Sequence, residues 1–190
     1  DANYDGVWGH NNLSFVNGWH SGKAPRTNLK VLGSYSGNIA YCIEPGVPLK
    51  DGQSMTKYDE NYFNNITSNG VISGDEIRMF IGRIMQYGYR GGVSLSWKSQ
   101  NADAANSIAH AYATQLLIWE TVIGERDANF NHKSTSGYSN VKDVVSTSHP
   151  LRSKIFSYYD SMVQSVQNHS LVPSFCNKSS GSAKTIELEW

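Results

Sequence analysis

The segment that most constrains the fold of this chain covers residues 103–123. Its apolar residues recur at helical spacing and Gly124 follows the last of them, which predicts one long helix. Gln115 lies on the apolar face of that helix, where leucine or isoleucine is normal. A buried primary amide costs about 1–3 kcal/mol unless its polar atoms find partners. The other residues of that face are Ile108, Tyr112, Trp119 and Val122. The sequence therefore predicts that the Gln115 amide has a specific partner.

Two further segments predict helices. Ser73 and Glu76 have the spacing of a capping box, apolar residues follow them at helical spacing, and Gly88 ends the pattern. Pro150 suits the first turn of a third helix, whose apolar residues continue to Val166. We therefore expect the helical part of the chain to cover about residues 73–168.

The two ends of the chain have the patterns of β-strands. Residues 30–35 and 38–43 predict two strands around a turn at Gly37, and residues 185–190 alternate as a strand does. Strands before and after a helical part predict an α+β fold, with an antiparallel β-sheet core, sandwich-like or barrel-like, and an inserted α-helical subdomain. We expect the sheet to use about residues 1–50 and 170–190. The length of 190 residues predicts a single domain, and the terminal strand suggests a module excised from a longer chain.

Composition excludes several classes of partner. The chain has 16 basic and 16 acidic residues, so no charge excess favours nucleic acid. No apolar stretch approaches the roughly 18 residues of a membrane span. No His, Cys and acidic residues have the spacing of a metal site, and no glycine-rich loop has the context of a phosphate site. We therefore expect no nucleic-acid partner, no membrane insertion, no metal and no cofactor.

The chain has two cysteines, Cys42 and Cys176. A disulfide between them is the ordinary expectation for an extracellular protein, but it leaves Gln115 unexplained. Condensation of the Cys42 thiol with the Gln115 amide, with loss of ammonia, would form an internal thioester and remove the buried amide. The residues alone leave both pairings open.

A thioester at these residues would be reactive toward amines. Its carbonyl carbon lacks the resonance of an amide, and thiolate leaves readily because a thiol titrates near about 8.5. A lysine amine would displace Cys42 and remain linked to the former Gln115 side chain. Apolar and aromatic groups should keep water from the carbonyl, and the candidates for that role are Tyr41, Tyr112 and Trp119. The alternative role for Trp119 is that of an ordinary residue of the hydrophobic core.

The sequence gives weaker signals for the groups that would transfer protons. Glu44 lies close to the thiol in sequence and is a candidate base, although a surface carboxylate beside Pro45 is the simpler interpretation. Thr114 is a candidate contact to a neighbouring backbone. His110 lies five residues before Gln115, about 500° around the helix, so we expect an exposed helix histidine away from the glutamine.

Two other classes of protein compete with this interpretation. A cysteine peptidase would need a histidine beside Cys42, and it normally carries its cysteine at the start of a helix, which Pro45 and Gly46 prevent here. The histidines available to a peptidase are His110, His149 and His169. The second class is a carbohydrate-binding module, which would use exposed tryptophan and tyrosine side chains.

The contexts of Cys42 and Gln115 resemble the thioester domains of surface adhesins and pilus-tip proteins of Gram-positive bacteria. Cys42 follows an aromatic residue and precedes an apolar one. Gln115 follows a threonine, and Ile118 and Trp119 come after it at the spacing of that family. The order of the two motifs, the size of the chain and the order of predicted elements are also similar.

The resemblance implies a function as well as a fold. It implies a Cys42–Gln115 thioester that joins the β-core to the helical subdomain and captures a lysine of a host extracellular or cell-surface protein through an isopeptide bond. It also implies a monomer at the tip of a cell-wall-anchored stalk, a role in adhesion and virulence, no cofactor, and a single-turnover binder rather than an enzyme. The alternative is a non-covalent carbohydrate- or protein-binding module with a Cys42–Cys176 disulfide.

Overall fold

Three α-helices build the described part of the molecule. The structure is a computed structural model, and it describes residues 41–43, 69–90, 102–134, 140–145, 147, 149 and 151–169. The helices are α1 (Gly74–Tyr87), α2 (Ala102–Ile123) and α3 (Arg152–Gln167), with a short 3-10 helix at Val141–Val144. α2 packs against α1 and α3, and α1 also contacts α3. None of the described helices is long and apolar enough to cross a membrane.

The ends of α1 follow from local sequence. The Ser73 hydroxyl accepts from the Glu76 N–H at 3.2 Å, and the Glu76 carboxylate accepts from the Ser73 N–H at 2.8 Å. Together these bonds form a capping box. At the other end the Gly88 N–H donates to the Ile84 carbonyl at 2.7 Å. The predicted start and end of this helix are confirmed, as are the helices predicted around residues 103–123 and 150–166.

The core of the described part is centred on α2. Almost every α2 side chain from Ala109 to Thr121 is buried, so the helix is enclosed rather than amphipathic. α1 and α3 each bury one face against it, and Tyr41 and Cys42 pack at its edge. The buried residues of α1 and α3 are Ile77, Phe80, Ile84, Ile155, Tyr159, Met162 and Val166.

The predicted antiparallel β-sheet core is wrong for the part of the chain that the structure describes. No described residue belongs to a strand, and Arg126 and His132 form an isolated antiparallel bridge. Residues 41–43, predicted as the end of a strand, are not in one. The physical reason is that the three helices bury their apolar side chains against one another, which gives this region a helical core. The other predicted strand segments lie outside the described residues.

Candidate functional site

Gln115 and Cys42 meet through two hydrogen bonds. The Cys42 N–H donates to Gln115 Oε1 at 2.9 Å, and Gln115 Nε2 donates to the Cys42 carbonyl at 2.7 Å. The Gln115 side chain is 1% exposed in the middle of α2, whereas Cys42 is partly buried. The buried amide therefore has partners for both of its polar atoms, and those partners are the backbone of the cysteine.

This geometry makes Cys42 a direct neighbour of the Gln115 amide. The thiol is carried by the Cα that lies between the two backbone groups in contact with the amide, so it is confined to the same neighbourhood. The Cys42 N–H also points at the oxygen on which negative charge would develop if the thiol attacked the amide carbon. A backbone donor in that position stabilises an oxyanion. The arrangement can therefore support acyl transfer between these two side chains.

The neighbours of the pair in sequence are connected as well. The Tyr41 hydroxyl donates to the Tyr89 carbonyl at 2.5 Å, and burial raises the pKa of Tyr41, so its phenol stays protonated. The Thr114 hydroxyl is fully buried, accepts from the Tyr89 N–H at 3.0 Å and donates to the His110 carbonyl at 2.8 Å. Thr114 thus contacts a neighbouring backbone, and Tyr41 attaches the Cys42 segment to the end of α1.

Tyr112 and Trp119 are buried on α2, three residues before and four residues after Gln115, and helical spacing puts both on its side of the helix. Burial raises the pKa of Tyr112 well above its usual range. Glu44 and Cys176 lie outside the described residues, so the roles predicted for them stay predictions.

The expectation of an exposed His110 is wrong. His110 is partly buried and stacks on Tyr158 with ring centroids 4.6 Å apart. Its Nε2 lies 2.9 Å from the Tyr87 carbonyl, which can only accept, so Nε2 carries the hydrogen. Burial lowers the pKa of the imidazole. The periodicity argument failed because α2 is covered on several sides rather than on one.

The other two histidines considered for a peptidase have structural partners. His149 Nδ1 accepts from the Leu151 N–H at 3.0 Å, next to the start of α3, and its ring meets the Tyr112 ring edge-on. His169 Nδ1 lies 3.1 Å from the Tyr87 hydroxyl. These contacts give each histidine a place in the packing of the helices.

A buried charged network on α2 was missed by the sequence analysis. Arg126, 2% exposed, contacts the Glu120 carboxylate at 2.6 Å and donates to the Tyr159 hydroxyl at 2.5 Å. The same hydroxyl donates to Glu120 at 2.8 Å. The signal available in the sequence was Glu120 itself, a carboxylate inside the apolar run that follows Gln115.

The oxygens of Glu120 and Glu125 lie close to His132, within 4.8 Å of one another. Their hydrogen-bonding capacity is already engaged, because Arg126 pairs with Glu120 and both oxygens of Glu125 accept from the Val141 N–H, at 3.1 and 3.0 Å. The buried guanidinium supplies the positive charge that a cation would otherwise bring. We assign this cluster to the packing of α2.

Comparison with known proteins identifies the class of this domain. The family model described as the thioester domain matches residues 39–168, a range that contains both Cys42 and Gln115. The match covers more than half of the chain, and the chain therefore belongs to the thioester domain family. It is a module of the thioester-containing, adhesin-like kind, as its two sequence motifs predict. No curated protein and no solved structure matches the chain.

Proposed function

We propose that Cys42 and Gln115 form the internal thioester of this domain. The thiol sulfur bonds to the Gln115 Cδ, the bond from Cδ to Nε2 breaks, and the nitrogen leaves as ammonia with the proton of the thiol. The observation that carries the proposal is the pair of hydrogen bonds between the buried Gln115 amide and the Cys42 backbone, within a chain of the thioester domain family.

Holding the two groups together makes an otherwise unfavourable condensation feasible. A thioester is higher in free energy than an amide, so the reaction needs the thiol at high effective concentration and needs ammonia to escape into water. Well-oriented intramolecular groups reach effective concentrations of about 10⁵ M or more. The contacts at Gln115 supply that orientation, and the Cys42 N–H stabilises the oxyanion that the attack creates.

The same free-energy difference drives capture of an amine. A lysine ε-amine attacks Cδ, the Cys42 thiolate leaves and takes up a proton, and the product is a stable amide between lysine and the former Gln115 side chain. Because Gln115 is 1% exposed and Cys42 is partly buried, the amine approaches along the side of Cys42. The bond forms once per molecule, so the domain is a single-turnover covalent binder and not an enzyme.

We further propose where and on what this chemistry acts. The adhesin-like character of the family favours a module displayed outside a Gram-positive cell, on a stalk anchored in the cell wall. There it would attach covalently to a lysine of a host extracellular or cell-surface protein and so contribute to adhesion and virulence. The chemistry uses two side chains of the domain itself and no cofactor.

Reaction with a small primary amine tests this function. We expect methylamine to add to Gln115 and to expose one thiol on Cys42, both detectable by peptide mass spectrometry after thiol labelling. The measurement is best made in a Cys176→Ser variant, so that Cys42 is the one thiol available for labelling. Cys42→Ala is the control and should take up no amine. A Cys42 that labels before methylamine is added, with no adduct on Gln115, would contradict the proposal and favour the non-covalent binding module.

A further inference from the structure

The residues that precede Cys42 and Gln115 are also connected to each other, through the backbone of one residue, Tyr89. Tyr41 donates to the carbonyl of Tyr89 at 2.5 Å, and Thr114 accepts from the N–H of the same residue at 3.0 Å. Tyr89 follows Gly88, the C-cap of α1, and is 6% exposed. We call this connection from Tyr41 through the Tyr89 backbone to Thr114 the Tyr89 bridge.

Each end of the Tyr89 bridge has a defined donor or acceptor role. The Thr114 hydroxyl donates its hydrogen to the His110 carbonyl at 2.8 Å, which leaves its oxygen to accept from Tyr89. Burial raises the pKa of Tyr41, so its hydroxyl remains a donor at neutral pH. Neither contact depends on a group that titrates near neutrality.

The close approach of the two segments depends on Gly88. A Cβ added at Gly88 would lie 2.6 Å from Thr114 Cγ2 and 2.9 Å from Thr114 Oγ1. Such distances are far shorter than van der Waals contact, so any side chain at this position would push the Tyr89 N–H away from Thr114. The chain therefore has a glycine at the one position of this turn where the bridge needs one.

We propose that the Tyr89 bridge positions the Cys42 thiol against Gln115 and that Tyr41 and Thr114 are positioning residues of thioester formation. The inference rests on the proposed function and adds residues to it. The direct contact of Cys42 with Gln115 consists of two hydrogen bonds, and one of them is donated by Nε2.

Condensation removes that nitrogen. When the sulfur bonds to Cδ and ammonia leaves, the hydrogen bond from Nε2 to the Cys42 carbonyl is lost, and the new S–Cδ bond joins the two residues beside the hydrogen bond to the amide oxygen. The Tyr89 bridge contains no atom that reacts. It therefore holds the segment in place before the S–Cδ bond forms, and again when ammonia or another amine breaks that bond and reopens the thioester.

Reversal by ammonia gives a direct test of the positioning role. A high concentration of ammonium should reopen the thioester to the Cys42 thiol and the Gln115 amide, and rapid removal of ammonium should allow it to form again. Intact-mass spectrometry follows the second step as the loss of one ammonia. The variants are Tyr41→Phe and Thr114→Val, and Thr114→Ser is the conservative variant that keeps the hydroxyl.

Tyr87→Phe is the matched control. It also removes a partly buried phenol hydroxyl near the end of α1, but its partner is His169 Nδ1 at 3.1 Å and it takes no part in the bridge. We expect Tyr41→Phe and Thr114→Val to slow thioester formation about three- to tenfold, the effect of one neutral hydrogen bond lost in the transition state. Thr114→Ser and Tyr87→Phe should form the thioester at the wild-type rate, and the melting temperature of Tyr41→Phe should match that of Tyr87→Phe.

The outcomes separate this inference from the proposed function. If Thr114→Val does not fold, the comparison of Tyr41→Phe with Tyr87→Phe decides the test. Thioester formation at the same rate in these two variants and in Thr114→Ser overturns the inference. If all four variants react at the wild-type rate, it is overturned at both ends of the bridge. A wild-type protein that never loses ammonia contradicts the proposed function itself, and the inference with it.

Discussion

At the scale of the residue, Gln115 is a polar side chain that is buried in an apolar core and also hydrogen-bonded through both of its polar atoms. An apolar core disfavours a primary amide by about 1–3 kcal/mol, and each intramolecular hydrogen bond returns about 1 kcal/mol. The two bonds to Cys42 therefore roughly offset the cost of burial. The same two bonds bring Cys42 to the amide, so the contacts that make the buried glutamine tolerable are also the contacts on which the proposed thioester depends.

Gly88 and Gly82 form a matched pair for testing the close packing beside the site. A Cβ at Gly88 would collide with Thr114 and lie 2.8 Å from the Ile84 carbonyl, whereas a Cβ at Gly82 would meet nothing within 4 Å. We expect Gly88→Ala to lower the free energy of unfolding by about 1–3 kcal/mol, because the neighbours must move. Gly82→Ala should raise it by about 0.5–1 kcal/mol through helix propensity.

Urea denaturation of the two alanine variants measures both effects. Since Gly88 is needed for the Tyr89 bridge, Gly88→Ala should also contain less thioester than Gly82→Ala by intact mass. Equal stability of the two variants would show that the turn after α1 can relax without disturbing Thr114, contrary to the packing in the structure.

At the scale of the element, α2 is held by a charged network on the same helix as the site. Glu120 lies five residues after Gln115, Arg126 follows the end of the helix, and Tyr159 comes from α3. Burial raises the pKa of Glu120, and the guanidinium 2.6 Å away opposes that rise. The network connects α2 to α3 and to the turn after Gly124, so it restricts rotation of the helix that carries Gln115.

Removal of Arg126 should destabilise the domain in a pH-dependent way. Without the guanidinium, the folded-state pKa of Glu120 rises further above its unfolded value, so the folded protein retains a proton that the unfolded chain releases. Stability then falls as the pH rises through that interval. We expect Arg126→Met to lose about 3–5 kcal/mol near neutral pH, and less near about pH 4, where Glu120 is protonated in the folded state and mostly protonated in the unfolded chain.

Urea midpoints at the two pH values measure this effect. Arg78→Met is the control, because Arg78 forms an exposed i,i+3 pair with Asp75, and its removal should change stability by less than about 0.5 kcal/mol at either pH. Adding Glu120→Gln to Arg126→Met should restore part of the loss near neutral pH. A loss in Arg126→Met that is the same at both pH values would contradict the assignment of the buried charge.

Helix boundaries were predictable from the sequence because their causes are local. The Ser73 and Glu76 capping box and the glycines after α1 and α2 involve residues a few positions apart, and Gly124 adopts the positive φ, 88°, that favours glycine. Burial around α2 was not predictable in the same way. Periodicity assumes one apolar face, whereas α2 is enclosed, which is why His110 was wrongly expected to be exposed.

The site was predictable only in its two central residues. Gln115 is conspicuous as an amide in an apolar helix, and the motif around Cys42 supplies a partner. The Tyr89 bridge and the Glu120, Arg126 and Tyr159 network are tertiary contacts with no pattern in sequence. The β-sheet core was wrong because short alternating segments predict strands without showing what they pair with, and the described core is formed by helices.

At the scale of the whole molecule, the proposed function depends on bringing together two segments that are 73 residues apart in sequence. The glutamine is buried on the central helix, and the cysteine segment packs at the edge of the helical core. The family match from residue 39 to residue 168 extends across both segments. The proposed thioester between them therefore depends on the packing of the described region as a unit.

The intact mass of the purified domain tests the central claim most directly. The Cys42–Gln115 thioester predicts a wild-type mass that is lower than the sequence mass by one ammonia, and predicts the full sequence mass for Cys42→Ala and for Gln115→Ala. A wild-type protein at the full sequence mass would contradict the thioester, and a deficit of only two hydrogens would show a disulfide between Cys42 and Cys176 in its place.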